Sequence, residues 1–231
     1  MASREELKKV AVKGAMDWIR DNYDLEKELS IGVGSGSTVA HSFPEIADYD
    51  NLIAVPTSSA TKQALEKRGV RVRELEEASG KLAFDIDGAD EVDPDLNLIK
   101  GGGGCHYREK KVAKMSTTLL IVVDESKLVD HLGQSFSLPV EVEPESQEIA
   151  RGSLKKYGEP KLRREDGKPV RTDNSNVILD LGIEEKLGTN ELKNWEEEIN
   201  RIEGVVENGF FIKRNADVVF VGTEEGVEVL K

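Results

Sequence analysis

The sequence predicts an α/β protein built on a parallel sheet, with a small α+β insert in its second half. Three observations predict it. Short, continuous apolar runs of strand length alternate with helical patterns up to about residue 132, as buried parallel strands and their crossover helices do. The clearest run, residues 118–123 (TLLIVV), lacks polar alternation and reads as a strand covered on both faces. Beyond residue 132 the order becomes β-α-β-β-α, with more polar strands. The expected division is an α/β domain of residues 1–132 and 208–231, and a small α+β domain of residues 133–207.

Along the chain, Ser3 and Glu6 form a capping box that opens a helix, and Leu7, Val10, Ala11, Met16 and Ile19 recur at roughly helical spacing. Residues 30–33 are a short buried strand that runs into the turn Gly34-Ser35-Gly36-Ser37-Thr38, with a helix expected from about Thr38. A second strand, 52–55, ends at Pro56 and the hydroxyl cluster Thr57-Ser58-Ser59. The helix 60–68 is stopped by Gly69. Residues 70–75 and 82–86 read as strands, 96–99 as a short apolar segment, and 108–115 as a helix. In the insert, 138–142 alternates, Ser146 opens a helix to about Tyr157, and strands follow near 161–164 and 177–181. Thr189 caps a helix with Leu192, Trp195, Ile199 and Ile202 on one face, and residues 218–221 form a strand returning to the main sheet.

Composition narrows the function classes. Charged residues at 33% and apolar residues at 38% describe a soluble globular chain. No window approaches the 18 or so uninterrupted apolar residues of a membrane span, and the first residues, MASREELKK, lack the apolar core of a secretion signal. A single cysteine, Cys105, excludes an internal disulfide framework, and three histidines leave little material for a zinc site. A cytoplasmic location is the default expectation. The net charge of −13 argues against general nucleic-acid binding, so any anionic ligand needs a local positive pocket.

The most informative stretch is residues 85–110, DIDGADEVDPDLNLIKGGGGCHYREK. It places Asp87, Asp90, Lys100, the run Gly101 to Gly104 and Glu109 within about one βα unit. Packing does not call for consecutive glycines, which weaken helices and strands alike; close approach of backbone to a ligand does. Glycine amides beside an ammonium suit a developing oxyanion, against the alternative of a flexible linker. Asp87 and Asp90, flanking Gly88 and Ala89 after an apolar strand, can hold sugar hydroxyls or magnesium, or can serve as turn and cap residues. Glu109, between Arg108 and Lys110 at a helix start, is either a base held ionised by its cationic neighbours or a plain helix-dipole acid.

Upstream, GVGSGST (32–38) can cradle a phosphate with its N–H groups and hydroxyls, or can be a tight capped turn. It is neither a Walker A loop nor a dinucleotide fingerprint, because no Gly-Lys-Ser/Thr follows and no acid ends the next strand. The hydroxyls of residues 57–61 are ligand groups or a helix cap. Lys127, after the strand 118–123, is a phosphate partner or a surface lysine. Cys105 and His106 do not make a convincing nucleophile–base pair, since adjacent residues cannot easily face one another and no third partner is evident.

Taken together, these residues closely resemble ribose-5-phosphate isomerase, type A. The likeness runs through EELKK (5–9), GSGST (34–38), DGADE (87–91), KGGGG (100–104), REK (108–110), DESK (124–127), VVENGFF (205–211) and VGTEEGV (221–227). The resemblance implies a Rossmann-like, isomerase/CoA-transferase-type domain carrying a ferredoxin-like domain, assembled as homodimers or homotetramers. It implies a pentose 5-phosphate substrate and no metal or organic cofactor. It places the proton-transfer base at Glu109, with Asp87 and Lys100 as further catalytic groups. Its substrate contacts fall on Ser35, Gly36, Ser37, Thr38, Asp87, Gly88, Ala89, Asp90, Lys100, Gly101, Gly102, Gly103 and Lys127, with Lys8 a weaker candidate. Two places depart from the family pattern: Cys105-His106-Tyr107 replaces a mostly small or apolar segment, and Ser35 stands where threonine is common. A non-catalytic sugar-phosphate sensor on the same fold is the alternative; an amino-sugar-phosphate deaminase or an acyl-CoA transferase would need a different acid/base set.

Overall fold

In the computed structural model, which describes residues 2–78 and 80–231, the chain forms two compact units. One comprises Met1–Ala89, Arg108–Lys127 and Ala216–Lys231; the other comprises Asp90–Tyr107 and Leu128–Asn215. The second unit thus also takes in Asp90–Tyr107, ahead of the boundary expected near residue 132.

The strands, in chain order, are β1 (Leu29–Val33), β2 (Leu52–Pro56), β3 (Arg71–Val72), β4 (Leu82–Asp87), β5 (Glu91–Val92), β6 (Leu98–Ile99), β7 (Ser116–Asp124) and β8 (Leu138–Val142). They continue as β9 (Glu159–Leu162), β10 (Arg164–Glu165), β11 (Lys168–Pro169), β12 (Val177–Gly182), β13 (Val205–Asn208), β14 (Phe210–Phe211), β15 (Val218–Thr223) and β16 (Gly226–Leu230). The helices are α1 (Arg4–Asn22), α2 (Phe43–Ile46), α3 (Ser59–Glu66), α4 (His106–Met115), α5 (Gln147–Leu154) and α6 (Thr189–Ile199).

The first unit is built on a seven-stranded sheet in the order β16-β15-β7-β4-β1-β2-β3, parallel except for the β15–β16 hairpin. From β1 the chain steps outward to β2 and β3, and then returns to β4 on the other side of β1. That reversal makes the β1/β4 junction a topological switch point, where open α/β sheets bind ligands at the carboxyl ends of their strands. The core explains the continuous apolar runs: Ile31, Val33, Ile86, Leu120, Val122 and Phe220 are almost fully buried. Ala11, Val12, Ala15, Met16 and Ile19 of α1 join the same cluster. The capping box is present, with Ser3 and Glu6 serving each other's backbone N–H.

Two expectations for this unit are corrected. No full helix follows Thr38; a 3₁₀ turn, Val39–Ser42, leads into the single turn of α2, with Pro44 near its start. The strand expected over 70–75 shrinks to β3, and Leu75–Glu77 is a 3₁₀ turn with Leu75 buried under it. Among the described residues no helix is long and apolar enough to cross a membrane.

The second unit contains an antiparallel sheet in the order β13-β8-β12-β9. With α5 and α6 it reads β8-α5-β9-β12-α6-β13, which is the ferredoxin-like arrangement. Ala150 and Leu154 of α5, and Leu192 and Ile199 of α6, pack against Leu138, Val140, Val142, Leu179 and Leu181. The N-cap of α6 is Gly188, not Thr189; the Glu191 carboxylate accepts the Gly188 N–H, and the Thr189 hydroxyl donates to Asp95 at 2.6 Å. In a three-stranded sheet, β14-β6-β5, strand β6 ends just ahead of Lys100 and the glycine run.

Candidate active site

In the first unit the candidate residues sit where the parallel strands end. The loop Gly34 to Thr38 follows β1, Asp87 ends β4, and Lys127 closes the 3₁₀ turn after β7. Asp87 is fully buried. Its Oδ1 accepts the N–H of Gly88 at 2.7 Å and of Ser35 at 3.2 Å, so one carboxylate ties two strand ends together. Hydrogen bonds to a carboxylate from backbone N–H groups are charge-assisted and strong.

The glycines of the GVGSG motif turn out to serve the neighbouring strand. A Cβ on Gly34 would lie 1.9 Å from Asp87 Oδ1, and one on Gly32 would lie 2.6 Å from Asp85 Oδ1. Alternation along β4 points Asp85 and Asp87 to the same face, and the parallel register sets Gly32 against Asp85. Asp85, fully buried, was not singled out in the sequence; the i, i+2 spacing of two acids in an otherwise apolar strand is the signal that marks it. Gly36, exposed at φ +108°, is the loop glycine proper.

The hydroxyls after β2 support this loop. Ser35 Oγ lies 2.8 Å from Thr57 Oγ1 and 3.2 Å from Thr61 Oγ1, and Thr61 donates to the Gly34 carbonyl. Thr57, Ser58 and Thr61 are buried, and Ser58 caps α3. Ser37 and Gly36 are exposed, while Ser35 and Thr38 are half-buried. Lys8 of α1 donates to Ser37 Oγ at 2.8 Å, bringing a cation to the loop; its other partner is Glu5, at 3.3 Å. Half-buried Lys127 forms no ion pair among the described residues.

Glu109 lies in the first turn of α4 and is 5% exposed. Val112, one turn further on the same side, packs with Val55, Leu75 and Leu82, which fixes the rotation of the helix about its axis. Because α4 leads into β7 and β7 is parallel to its neighbours, the start of α4 lies toward the carboxyl ends of the strands. Arg108 faces Glu74 at 3.6 Å and Glu76 at 3.7 Å, and Lys110 is buried.

In the second unit, the Lys100 N–H donates to the Gly209 carbonyl at 2.9 Å, and its side chain is 3% exposed, with Nζ 5.5 Å from the centre of the Phe211 ring. Asp90 bonds into the glycine run: its Oδ2 accepts the Gly102 N–H at 2.7 Å. Gly101 and Gly104 close a tight turn through a Gly104 N–H to Gly101 carbonyl bond of 2.9 Å. His106 is fully buried, with Nε2 3.3 Å from the Glu207 carbonyl, and the Cys105 thiol donates to the Gly103 carbonyl. These contacts make the pair a support under the turn.

The family model described as ribose 5-phosphate isomerase A (phosphoriboisomerase A) matches residues 53–226. A solved D-ribose-5-phosphate isomerase in complex with phospho-erythronic acid is 36% identical, covers all of both chains and superposes with a TM-score of 0.91. Ribose 5-phosphate isomerase A of Methanocaldococcus jannaschii is 38% identical over 99% of this chain and 100% of its own, with a TM-score of 0.87. The Neisseria gonorrhoeae enzyme is 37% identical over 100% of this chain and 98% of its own, also at 0.87. The α/β fold with its mostly parallel sheet is therefore that of these isomerases, and the chain belongs to the ribose 5-phosphate isomerase A family.

Proposed function

We propose that this chain interconverts D-ribose 5-phosphate and D-ribulose 5-phosphate through a cis-enediolate, in the non-oxidative pentose phosphate pathway, with Glu109 as the proton-transfer base. The observation that carries the reading is the switch point of the parallel sheet. There the exposed loop Gly36–Ser37, with Lys8 donating to it, follows Ser35, whose N–H donates to a fully buried Asp87, and Glu109 lies in the first turn of the helix leading into β7. The relative with phospho-erythronic acid adds support, since that molecule is a sugar-acid phosphate. Its carboxylate stands in for the two enediolate oxygens.

In the proposed reaction, Glu109 takes the C2 proton of the open-chain aldose. The C–H pair becomes the C1=C2 bond and the carbonyl oxygen becomes an oxyanion, which Lys100 and the glycine amides stabilise. A proton passes between the two oxygens, with Asp87 assisting this exchange and ring opening. Glu109 then returns its proton to C1, giving the ketose. Ser35, Ser37, Thr38, Lys8 and Lys127 hold the phosphate, and Asp90, Gly88 and Ala89 line the sugar hydroxyls. No electron leaves the substrate, so the steps balance with protein groups alone.

The test is a coupled assay of ribulose 5-phosphate formation, with EDTA present, on wild type and Glu109→Gln. We expect wild-type turnover to survive EDTA and the variant to lose about 10²- to 10⁴-fold in kcat while still binding the sugar phosphate. Near-normal kcat in the variant would remove Glu109 as base. A wild type that binds the sugar phosphate without turning it over would instead be a sensor.

A further inference from the structure

The glycine turn of the second unit is gripped by a side-chain clamp from far along the sequence. Arg163, just after β9, pairs with Asp180 of β12: Nε donates to Oδ2 at 2.9 Å and to Oδ1 at 3.2 Å, and Nη2 donates to Oδ1 at 2.5 Å. Its Nη1 donates to the carbonyls of both Gly101 and Gly102, each at 2.9 Å. From the other side, Asp90 accepts the Gly102 N–H. The peptide between Gly101 and Gly102 is therefore held at both its oxygen and its hydrogen.

The next peptide is held at its oxygen only. A trans peptide is planar, with its N–H opposite its C=O. Fixing the Gly102 carbonyl on Arg163 fixes the Gly103 N–H pointing the other way. That N–H makes no hydrogen bond among the described residues, and Gly103 is exposed. The fold accounts for glycine at the other three positions. Gly101 and Gly104 have φ of +105° and +75°, and a Cβ on Gly102 would lie 2.5 Å from Asp90 Oδ1. A Cβ on Gly103 would meet nothing within 4 Å and its φ is ordinary, so nothing in the protein itself demands a bare backbone there.

We infer that Arg163, oriented by Asp180, is a positioning residue that presets the Gly103 N–H as a donor to the enediolate oxyanion. This rests on the isomerase reading given above. The planar guanidinium fork suits the task, because one group must meet a carboxylate and two carbonyls at once, and a lysine ammonium lacks that geometry. A cation on the carbonyl also polarises the peptide and strengthens its neighbouring N–H as a donor. A cavity of 380 Å³ lined by Gly102, Ser135, Phe136, Ser137, Arg163 and Asp180 opens beside the clamp.

The experiment compares wild type, Arg163→Ala and Arg163→Lys for kcat, KM for ribose 5-phosphate, and inhibition by phospho-erythronic acid. An oxyanion donor acts in the transition state rather than on the bound substrate. In Arg163→Ala we expect kcat to fall about 10- to 100-fold while KM stays within about threefold. The inhibition constant should rise by the same factor as kcat falls, the lysine variant should lie between, and millimolar guanidinium, entering the cavity, should restore part of the alanine variant's kcat. Unchanged kcat, a kcat loss without loss of inhibitor affinity, or a KM that rises as far as kcat falls would each overturn the inference. If Arg163→Ala does not fold, Arg163→Lys decides: impairment of both kcat and inhibitor affinity supports the role, and wild-type values for both refute it. A wild type with no isomerase activity would fail the underlying reading instead, and is seen in the same assay.

Discussion

Gly34 has no room for a methyl group. Its Cβ would overlap the Asp87 carboxylate, at 1.9 Å from Oδ1 and 2.0 Å from Cγ, and both residues are buried. Either β1 or Asp87 must shift to admit it, and overpacking of this kind costs about 1–3 kcal/mol. Gly34→Ala should therefore lower stability by about that amount in urea melts and lower kcat as well, because the displaced group is Asp87. An alanine variant with wild-type stability and wild-type kcat would show that Asp87 does not need its present position. The sequence shows the glycines and the aspartates but not that they face each other. From sequence GVGSG stays open between a ligand loop and a capped turn, because the register of β1 against β4 is a contact between residues more than fifty apart, and nothing local encodes it. The same holds for the support of Ser35 by Thr57 and Thr61 and for the reach of Arg163 to Gly101. Asp87, Lys100 and Glu109, the residues proposed to carry the chemistry, stand out by type in the sequence; the residues packed and hydrogen-bonded around them do not.

Among the elements, β5 and the loop after β7 are joined by one carboxylate. Glu91 is fully buried and accepts the N–H groups of Gly133 at 2.6 Å, Ser135 at 2.5 Å and Phe136 at 2.8 Å. Burial raises its pKa above the ordinary 4.5, outweighing the three backbone hydrogen bonds that lower it. A raised folded-state pKa means that stability from this group is fully present below pH 4.5 and is lost as pH rises through the raised value. Glu91→Gln cannot ionise, and it turns an amide NH₂ toward one of the donors that the carboxyl group accepts. It should cost about 1–3 kcal/mol for that unsatisfied N–H. The gap to wild type should be widest below pH 4.5 and narrow as pH rises through and above it, read from urea melts across that range. A gap that widens with pH would contradict the sign of the shift. Element type was legible where periodicity was strong, as in α1 and β7. It failed where tertiary contacts override local pattern: the segment after Thr38 was expected to be a longer helix, and 70–75 a longer strand. In the second case, Leu75 folds inward to meet Leu82 and Val112 instead of extending the sheet.

At the scale of the whole chain, 45 acidic residues face 32 basic ones, a formal net charge of −13. Lys8, which donates to the proposed phosphate loop, therefore works within a net negative field, and the compact state carries its own repulsion. Opposing this are ion pairs such as Lys27–Asp24, Arg71–Glu28 and Arg201–Glu197, which are largely exposed. Exposed pairs contribute about 0–1 kcal/mol each and are screened by salt. The repulsion is summed over the whole surface and is screened too, as the Debye length shrinks from about 30 Å at 0.01 M to about 8 Å at 0.15 M. Relief of repulsion is the larger of the two effects when the imbalance is this great. Raising sodium chloride from about 0.01 M to about 0.5 M should raise Tm by a few degrees, roughly 1 kcal/mol for a chain of this length. Most of the gain should come by about 0.15 M, which separates screening from the slower, continuing rise caused by salt exclusion at high concentration. A Tm that falls over the same range would mean that the ion pairs outweigh the net charge.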